Sequence, residues 1–383
     1  MKRCLKIGIF TDVYKPVVNG VVTSIENLFN SLAELNHKIY IFAPEYPGYK
    51  DESSNIYRFK SINLWSKVNY PLGLPYSRRI FKIINSLDLD LIHCHHPFLM
   101  GRAGQYVARK LHIPLVATLH TQYEEYIHYI PFNRYIVRSM TLWALKNFSN
   151  RCDALIIPAE SRKRQLEKYG ISSRIKVVPN CIEPDIFSKL NGNKIKDRYS
   201  ISREEKILIF VGRLAREKNI EFLITCFKDI RKKYNNIKLM LVGEGPERKR
   251  IENFINKENL SEDVILTGEI NNKDIKDYYG AADIFVSTSK TEVHPVVLLE
   301  AMASAIPVVA VRAPGYEDTV RHGLDGLLCE EHVEEFSDSV LSLLNNNLKR
   351  ETISKHAKER ARDFSVKNIT GQIENIYLSL LKN

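Results

Sequence analysis

The 383 residues read as an α/β chain folded into two doubly wound domains, each a parallel sheet with helices on both faces. Three observations carry this reading. The chain is too long for one ordinary hydrophobic core. Short, continuously apolar runs recur along it, as strands buried on both faces require. Longer amphipathic runs of helical period fall between most of them.

Taken in order, the first series of strands is expected near Leu5–Phe10, Lys38–Ala43, Asn55–Phe59, Leu91–His93, Pro114–His120, Ala154–Ala159 and Ile175–Val178. Val22–Leu35 reads as the helix after the first strand. The second series falls near Ile207–Val211, Lys238–Val242, Val264–Thr267, Ile284–Ser287, Pro307–Val311 and Gly326–Cys329, with Ile220–Tyr234 as its first helix. Two prolines in VPNCIEPDIF bracket the end of the first series, and the polar stretch NGNKIKDRYSISREEK follows. This places domains at 1–187 and 188–365. In doubly wound sheets ligands sit outside the carboxyl ends of the strands, so candidate sites are sought there.

Composition narrows the class. Hydrophobic content of 44% and charged content of 26% are those of a globular protein. No apolar run approaches the length of about 18 residues that spans a membrane. MKRCLKIGIF runs straight into TDVYKP without a small-residue cleavage site, and is expected to be a first strand. Six scattered cysteines without a CxxC pair suggest reduced thiols in a cytoplasm and argue against a zinc site. The net charge of +11 is one-sided: residues 1–190 hold 26 Lys and Arg against 15 Asp and Glu, and the remainder holds 30 of each. That asymmetry points to an anionic surface as partner. No nucleic-acid-binding motif accompanies it, so phospholipid is favoured over nucleic acid.

Several stretches lie where a site is expected. Asn19-Gly20 turns from the first strand into a helix, a geometry that lets backbone approach a phosphate. A single glycine there, not GxGxxG, gives little support for a nicotinamide cofactor. Arg213, Arg216 and Lys218 cluster after Gly212, where cations can neutralise a diphosphate leaving group. Gly243–Arg248 forms a second glycine turn one unit on. His93, His95 and His96 lack acidic or thiolate co-ligands at suitable spacing, so no metal site is expected. Asp88-Leu89-Asp90 precedes a strand, the wrong end for a site. His120 closes a strand and is followed by Tyr123, Glu124, Glu125, Tyr126, His128 and Tyr129, a polar aromatic patch suited to ligand recognition. Two basic amphipathic segments, 63–87 and 133–151, hold the only tryptophans, Trp65 and Trp143, and suit a membrane interface. Glu292 and Glu300 flank the strand-to-helix corner TEVHPVVLLEA. Pro295 is expected at the first helical position, where its missing N–H is not needed.

In this order PVVNGVV, LHT, VGRLAREKN, LVGEGPE, TGEI, AADIFVSTSKTE, the Glu292…Glu300 pair and GLDGLL span nearly the whole chain. The set resembles family 4 of the retaining glycosyltransferases, and HTQYEEYIHYIPF looks like the narrower bacterial group that glucosylates diacylglycerol. The resemblance implies the GT-B fold, two doubly wound Rossmann-like domains facing across a cleft. The helix-like stretch 366–383 is then expected to return to the first domain. It further implies that the Gly20 loop approaches the donor phosphates and that Arg213 and Lys218 neutralise them. Glu292 holds hydroxyls of the donor sugar and Glu300 the ribose. Ile270 lies by the base through its backbone, and His120 lies near the anomeric carbon. His294, Val296 and Val297 complete the donor side, and Tyr123, Tyr126 and His128 are candidate acceptor contacts. No cofactor or metal is required beyond the nucleotide sugar, expected to be UDP-glucose. The acceptor is expected to be a lipid, diacylglycerol, reached by a cytoplasmic protein held peripherally at an anionic membrane. Alternatives are a mannosyl- or other hexosyltransferase acting on phosphatidylinositol or a soluble acceptor, and an inactive nucleotide-sugar-binding module. The sequence departs from the family pattern at Pro295, Ala305, Asn180-Cys181 and Pro314-Gly315, none of which removes a charged group.

Overall fold

The computed structural model describes residues 3–17, 19–62, 71–120, 122–125 and 133–382. Contacts divide the chain into two compact units, Met1–Asn180 with Val366–Asn383, and Cys181–Ser365. The stretch 181–187 goes with the second unit, not with the first as a boundary at 187/188 would have it. The reason is that Ile182 and Phe187 are buried in the second unit's core.

Unit 1 runs β1 (Lys6–Phe10), α1 (Gly20–Glu34), β2 (Lys38–Pro44), β3 (Ile56–Phe59), β4 (Ser61–Ile62), β5 (Leu72–Gly73), α2 (Arg78–Ser86), β6 (Leu91–Cys94), α3 (Leu99–Leu111), β7 (Leu115–Thr118), α4 (Arg134–Ser149), β8 (Ala154–Ile157), α5 (Glu160–Lys168) and β9 (Ile175–Val177). Seven of these strands form one parallel sheet in the order β3-β2-β1-β6-β7-β8-β9. Ile7 lies opposite Ile39 on one side and Leu91 on the other. The strands are apolar throughout because helices cover both faces: every residue of β6, β7 and β8 is buried. The two-residue strands β4 and β5 form an antiparallel pair beside this sheet. Asn19 starts α1 by accepting a hydrogen bond from the Val22 amide at 2.9 Å.

Unit 2 runs α6 (Gly192–Arg198), β10 (Lys206–Val211), α7 (Ile220–Lys233), β11 (Ile237–Val242), α8 (Arg248–Lys257), β12 (Val264–Gly268), α9 (Ile275–Ala281), β13 (Ile284–Ser287), α10 (Val296–Ala303), β14 (Val308–Val311), α11 (Pro314–Glu317), β15 (Leu327–Cys329), α12 (Val333–Leu344) and α13 (Asn347–Ala361). Its parallel sheet has the order β12-β11-β10-β13-β14-β15. Two cores flank it, one under α7, α8 and α12, the other under α6, α9, α10 and α13. The last helix, α14 (Val366–Leu380), belongs to unit 1. Val366, Ile369, Ile373 and Tyr377 recur at helical spacing on its buried face.

In both sheets the strand order reverses once, between β1 and β6 in unit 1 and between β10 and β13 in unit 2, while all strands stay parallel. The carboxyl ends of the strands at such a reversal are where doubly wound sheets bind ligands.

Candidate functional site

In unit 2 the reversal brings together residues 74 positions apart. Lys218 follows β10, Glu292 follows β13, and their side chains form an ion pair. Side chains at the end of β13 build the platform. Thr288 is fully buried, and its Oγ1 lies 3.0 Å from the carbonyls of both Lys218 and Asn219. Ser289 donates to the Glu217 carbonyl at 3.4 Å. Arg213 is exposed on the same loop as Lys218. That loop is stitched to its neighbours through backbone: Gly212 N–H to Val242 O at 2.9 Å, Leu214 N–H to Glu244 O at 2.9 Å, and Gly243 N–H to Gly268 O at 3.0 Å. Gly243 has φ 136, and a Cβ there would come within 2.0 Å of Gly212 O. Only glycine permits this approach. Ile270, just past β12, is half-buried against the core below α9 and α10.

Pro295 occupies the N-cap of α10, one position earlier than expected, with φ −74 and ψ 121. Val296 and Val297 are therefore the first two helical residues, and no side chain caps them. His294 is only 4% exposed, its ring set edge-on to Phe364 at 5.3 Å. Burial and the nearby Arg360 charge pull its pKa down to about 3. Its ring is thus uncharged at neutral pH. Glu300 lies one turn inside α10, where burial raises its carboxyl to about 6. Tyr279 on α9 donates to Glu300 Oε2 at 2.9 Å, opposing that rise.

In unit 1 the corresponding reversal gathers imidazoles. His95 Nδ1 and His120 Nε2 are 2.8 Å apart with rings nearly parallel. His93 is held between Tyr377 OH at 2.6 Å and Thr118 Oγ1 at 2.7 Å. His96 Nδ1 accepts the Asp12 N–H at 3.2 Å. Burial holds His93 and His96 near 3, and His95 well below its ordinary value. Burial also takes His120 down to about 4, against a hydrogen bond to the Asn180 side chain that raises it. At neutral pH these rings are uncharged hydrogen-bonding groups. Gly20 is the first residue of α1, and an added Cβ there meets nothing within 4 Å, so local packing does not demand glycine. Among the described residues no group of three His, Cys, Asp or Glu side chains could hold a metal ion. Asp90, in the sequence Asp-Leu-Asp, accepts from the Lys6 amide and from Arg3 at the amino end of the sheet.

Tyr123 packs edge-on against Phe98 at 4.8 Å. Beside it, Glu124 and Arg162 form a fully buried two-point ion pair, the second bond at 3.0 Å. Tyr126, His128 and Trp65 lie outside the described residues. The two amphipathic segments differ in use. α2 turns Ile80 and Ile84 into the core. α4 instead leaves Tyr135 at 85%, Ile136 at 59%, Met140 at 65% and Trp143 at 68% exposure. These four share one face of its first three turns, flanked by exposed Arg134 and Arg138. No described helix is long and apolar enough to cross a membrane.

Two parallel-sheet units of this topology fit the GT-B architecture, with a cation and a carboxylate paired where the second sheet's strand order reverses. Comparison with known proteins gives the same class. Residues 18–186 match the model of Glycosyltransferase Family 4, and residues 192–360 that of Glycosyl transferases group 1. The chain is 30% identical to an alpha-monoglucosyldiacylglycerol synthase of Streptococcus pneumoniae, over 98% of this chain and 86% of that protein. It is 28% identical to the synthase of the same name from Acholeplasma laidlawii, over 98% of each. A GDP-mannose-dependent alpha-mannosyltransferase of Corynebacterium glutamicum is 25% identical over 88% of this chain and 79% of that one. Among solved structures, sucrose-phosphate synthase of Thermosynechococcus elongatus superposes with a TM-score of 0.80 at 20% identity, covering 99% of each chain. HepE of Anabaena in complex with UDP-glucose gives 0.78 at 19% identity, over 98% of this chain and all of that one. The chain belongs to glycosyltransferase family 4 and is a glycosyl-transferring enzyme.

Proposed function

We propose that the protein transfers a hexose, glucose from UDP-glucose, to diacylglycerol at a membrane surface, with retention of anomeric configuration. The observation that carries the donor half is the Lys218–Glu292 pair at the unit 2 reversal, with Arg213 on the same loop. A cation for diphosphate and an acceptor for sugar hydroxyls stand ready side by side. The names of the relatives from Streptococcus pneumoniae and Acholeplasma laidlawii support glucose and diacylglycerol. The exposed apolar face of α4, with its arginines and the basic first half of the chain, supports a lipid surface.

Each residue then has a task. Arg213 and Lys218 neutralise the leaving diphosphate, helped by the Val296 and Val297 amides at the positive end of α10. Glu292 accepts from sugar hydroxyls and Glu300 from the ribose, while Ile270 offers backbone to the base. Gly20 leaves open space for phosphate to approach α1. The bond from the anomeric carbon to the phosphate oxygen breaks, and the acceptor oxygen bonds that carbon from the same face. The acceptor proton passes to the departing diphosphate. His120, uncharged, hydrogen-bonds near the reacting carbon without competing for that proton. Tyr123 is assigned to the acceptor. Pro295 removes one amide from the sugar's surroundings, so the sugar is the element the experiment must discriminate.

The test offers a panel of labelled nucleotide sugars with total membrane lipid and identifies the labelled product. Label from UDP-glucose in diacylglycerol glycoside is the expected result. Label from GDP-mannose, or on a water-soluble acceptor alone, overturns the reading. Flotation with anionic vesicles tests the membrane half: Met140→Asp with Trp143→Asp should release the protein from vesicles.

A further inference from the structure

Glu300 is half-buried on α10, and the structure gives it a dedicated neighbour from a different helix. Tyr279 is fully buried in α9, its ring edge-on to Phe187 at 6.0 Å and tilted against Phe285 at 6.5 Å. Its ring therefore has little freedom, and its hydroxyl has a fixed address. That hydroxyl lies 2.9 Å from Glu300 Oε2 and 3.2 Å from the Val297 carbonyl. A phenol has one proton to give. An ionised carboxylate is the stronger acceptor, so the proton goes to Oε2 and Oε1 is left for a ligand.

We propose that Tyr279 is the positioning residue for Glu300: by occupying Oε2 it fixes the carboxylate so that Oε1 faces the nucleoside diphosphate, and so sets how tightly that ligand is held. The inference rests on Glu300 being the ribose-binding carboxylate, as proposed above. The carbonyl of Val297 gives the hydroxyl a second acceptor. When Glu300 takes up a proton, Tyr279 can turn to Val297 and the carboxyl loses its fixed orientation. Among the described residues, the Tyr279 phenol is the titratable group that bears on this carboxyl besides burial itself. Nothing in the residue sequence KDYYGAADIF marks this role, because an aromatic side chain in an amphipathic helix reads as core.

The test uses the full chain and titrates UDP, without sugar, across pH 5 to 8 for wild type, Tyr279→Phe and Glu300→Gln. Thermal melting of each variant checks that it is folded. Wild-type affinity should fall as pH drops through about 6. Removing the hydroxyl removes a bond that favours the ionised form, so the Tyr279→Phe midpoint should move up by about one pH unit. The KM for the nucleotide sugar at pH 8 should rise about three- to tenfold, with kcat within about twofold. An unmoved midpoint, or a kcat that falls in step with a rising KM, overturns the proposal, since a merely structural tyrosine would give those results. The Glu300→Gln arm separates the two readings. If that variant binds UDP as wild type does, with no pH dependence lost, the ribose assignment itself is wrong. If it weakens binding and flattens the pH curve while Tyr279→Phe leaves the midpoint in place, only the positioning role fails.

Discussion

Glu292→Gln should change donor binding and donor use in opposite directions. In the free enzyme Lys218 is paired with Glu292, and their side chains are 17% and 16% exposed. A diphosphate must draw Lys218 away from that partner. A pair of this exposure lies between surface and buried examples, so breaking it costs about 1 kcal/mol. The amide removes that cost and removes a like charge from the diphosphate. UDP should therefore bind roughly fivefold tighter to the variant, read by calorimetry at low salt. The same change converts a charge-assisted hydrogen bond to the sugar into a neutral one. That loss of about 2 kcal/mol or more outweighs the roughly 1 kcal/mol gained at the diphosphate, so kcat/KM for the nucleotide sugar should fall at least roughly fivefold. UDP affinity that is unchanged, or that falls along with turnover, would refute the view that these two residues divide phosphate and sugar between them.

The remaining expectations concern the frame around the site. Ala305 holds φ 57 after α10, so Ala305→Gly should stabilise the protein by about 0.5–1 kcal/mol in denaturant unfolding. Removing one member of the buried Glu124–Arg162 pair, as in Arg162→Met, should destabilise unit 1 by about 3–5 kcal/mol. The combined Glu124→Leu, Arg162→Met change should recover much of that loss, measured by thermal melting. Burial raises both Glu300 and Asp12 to about 6, so the folded chain holds these protons more tightly than the unfolded one. Their stabilisation is complete below about pH 4 and is lost as pH rises through 6. That amounts to about 2 kcal/mol or more for each group. Melting temperature should thus decline between about pH 4 and 7 at these groups, while UDP affinity climbs through about 6. His120, near 4, should add no limb to the activity profile between pH 5 and 8.

The strands were legible because sheets covered on both faces need continuous apolar runs, and β8, ALII, is nothing else. The two-residue strands β4 and β5 were not, since two residues carry no period. Lys218 and Glu292 could each be picked out at the end of a strand, but their meeting depends on the sheet order, which puts β13 beside β10. α2 and α4 both read as basic amphipathic helices. Only the tertiary structure distinguishes them, burying Ile80 and Ile84 of one and leaving Trp143 of the other bare. Pro295 was expected inside α10 because proline favours a first helical position; its ψ of 121 makes it the cap instead. Tyr279 and Thr288 carried no signal at all, because what matters is where one hydroxyl points.

The proposed reaction is retaining transfer of a hexose from a nucleotide sugar to diacylglycerol by the Lys218 and Glu292 site. The most direct measurement is the anomeric configuration of the glycolipid formed from UDP-glucose and diacylglycerol in anionic vesicles, read from the proton coupling of the anomeric carbon. UDP-glucose carries an α-linkage, so retention gives an α-glucosyl product, made by wild type and lost in Lys218→Met. A β-glucosyl product, or an α-product made equally well by Lys218→Met, would contradict it.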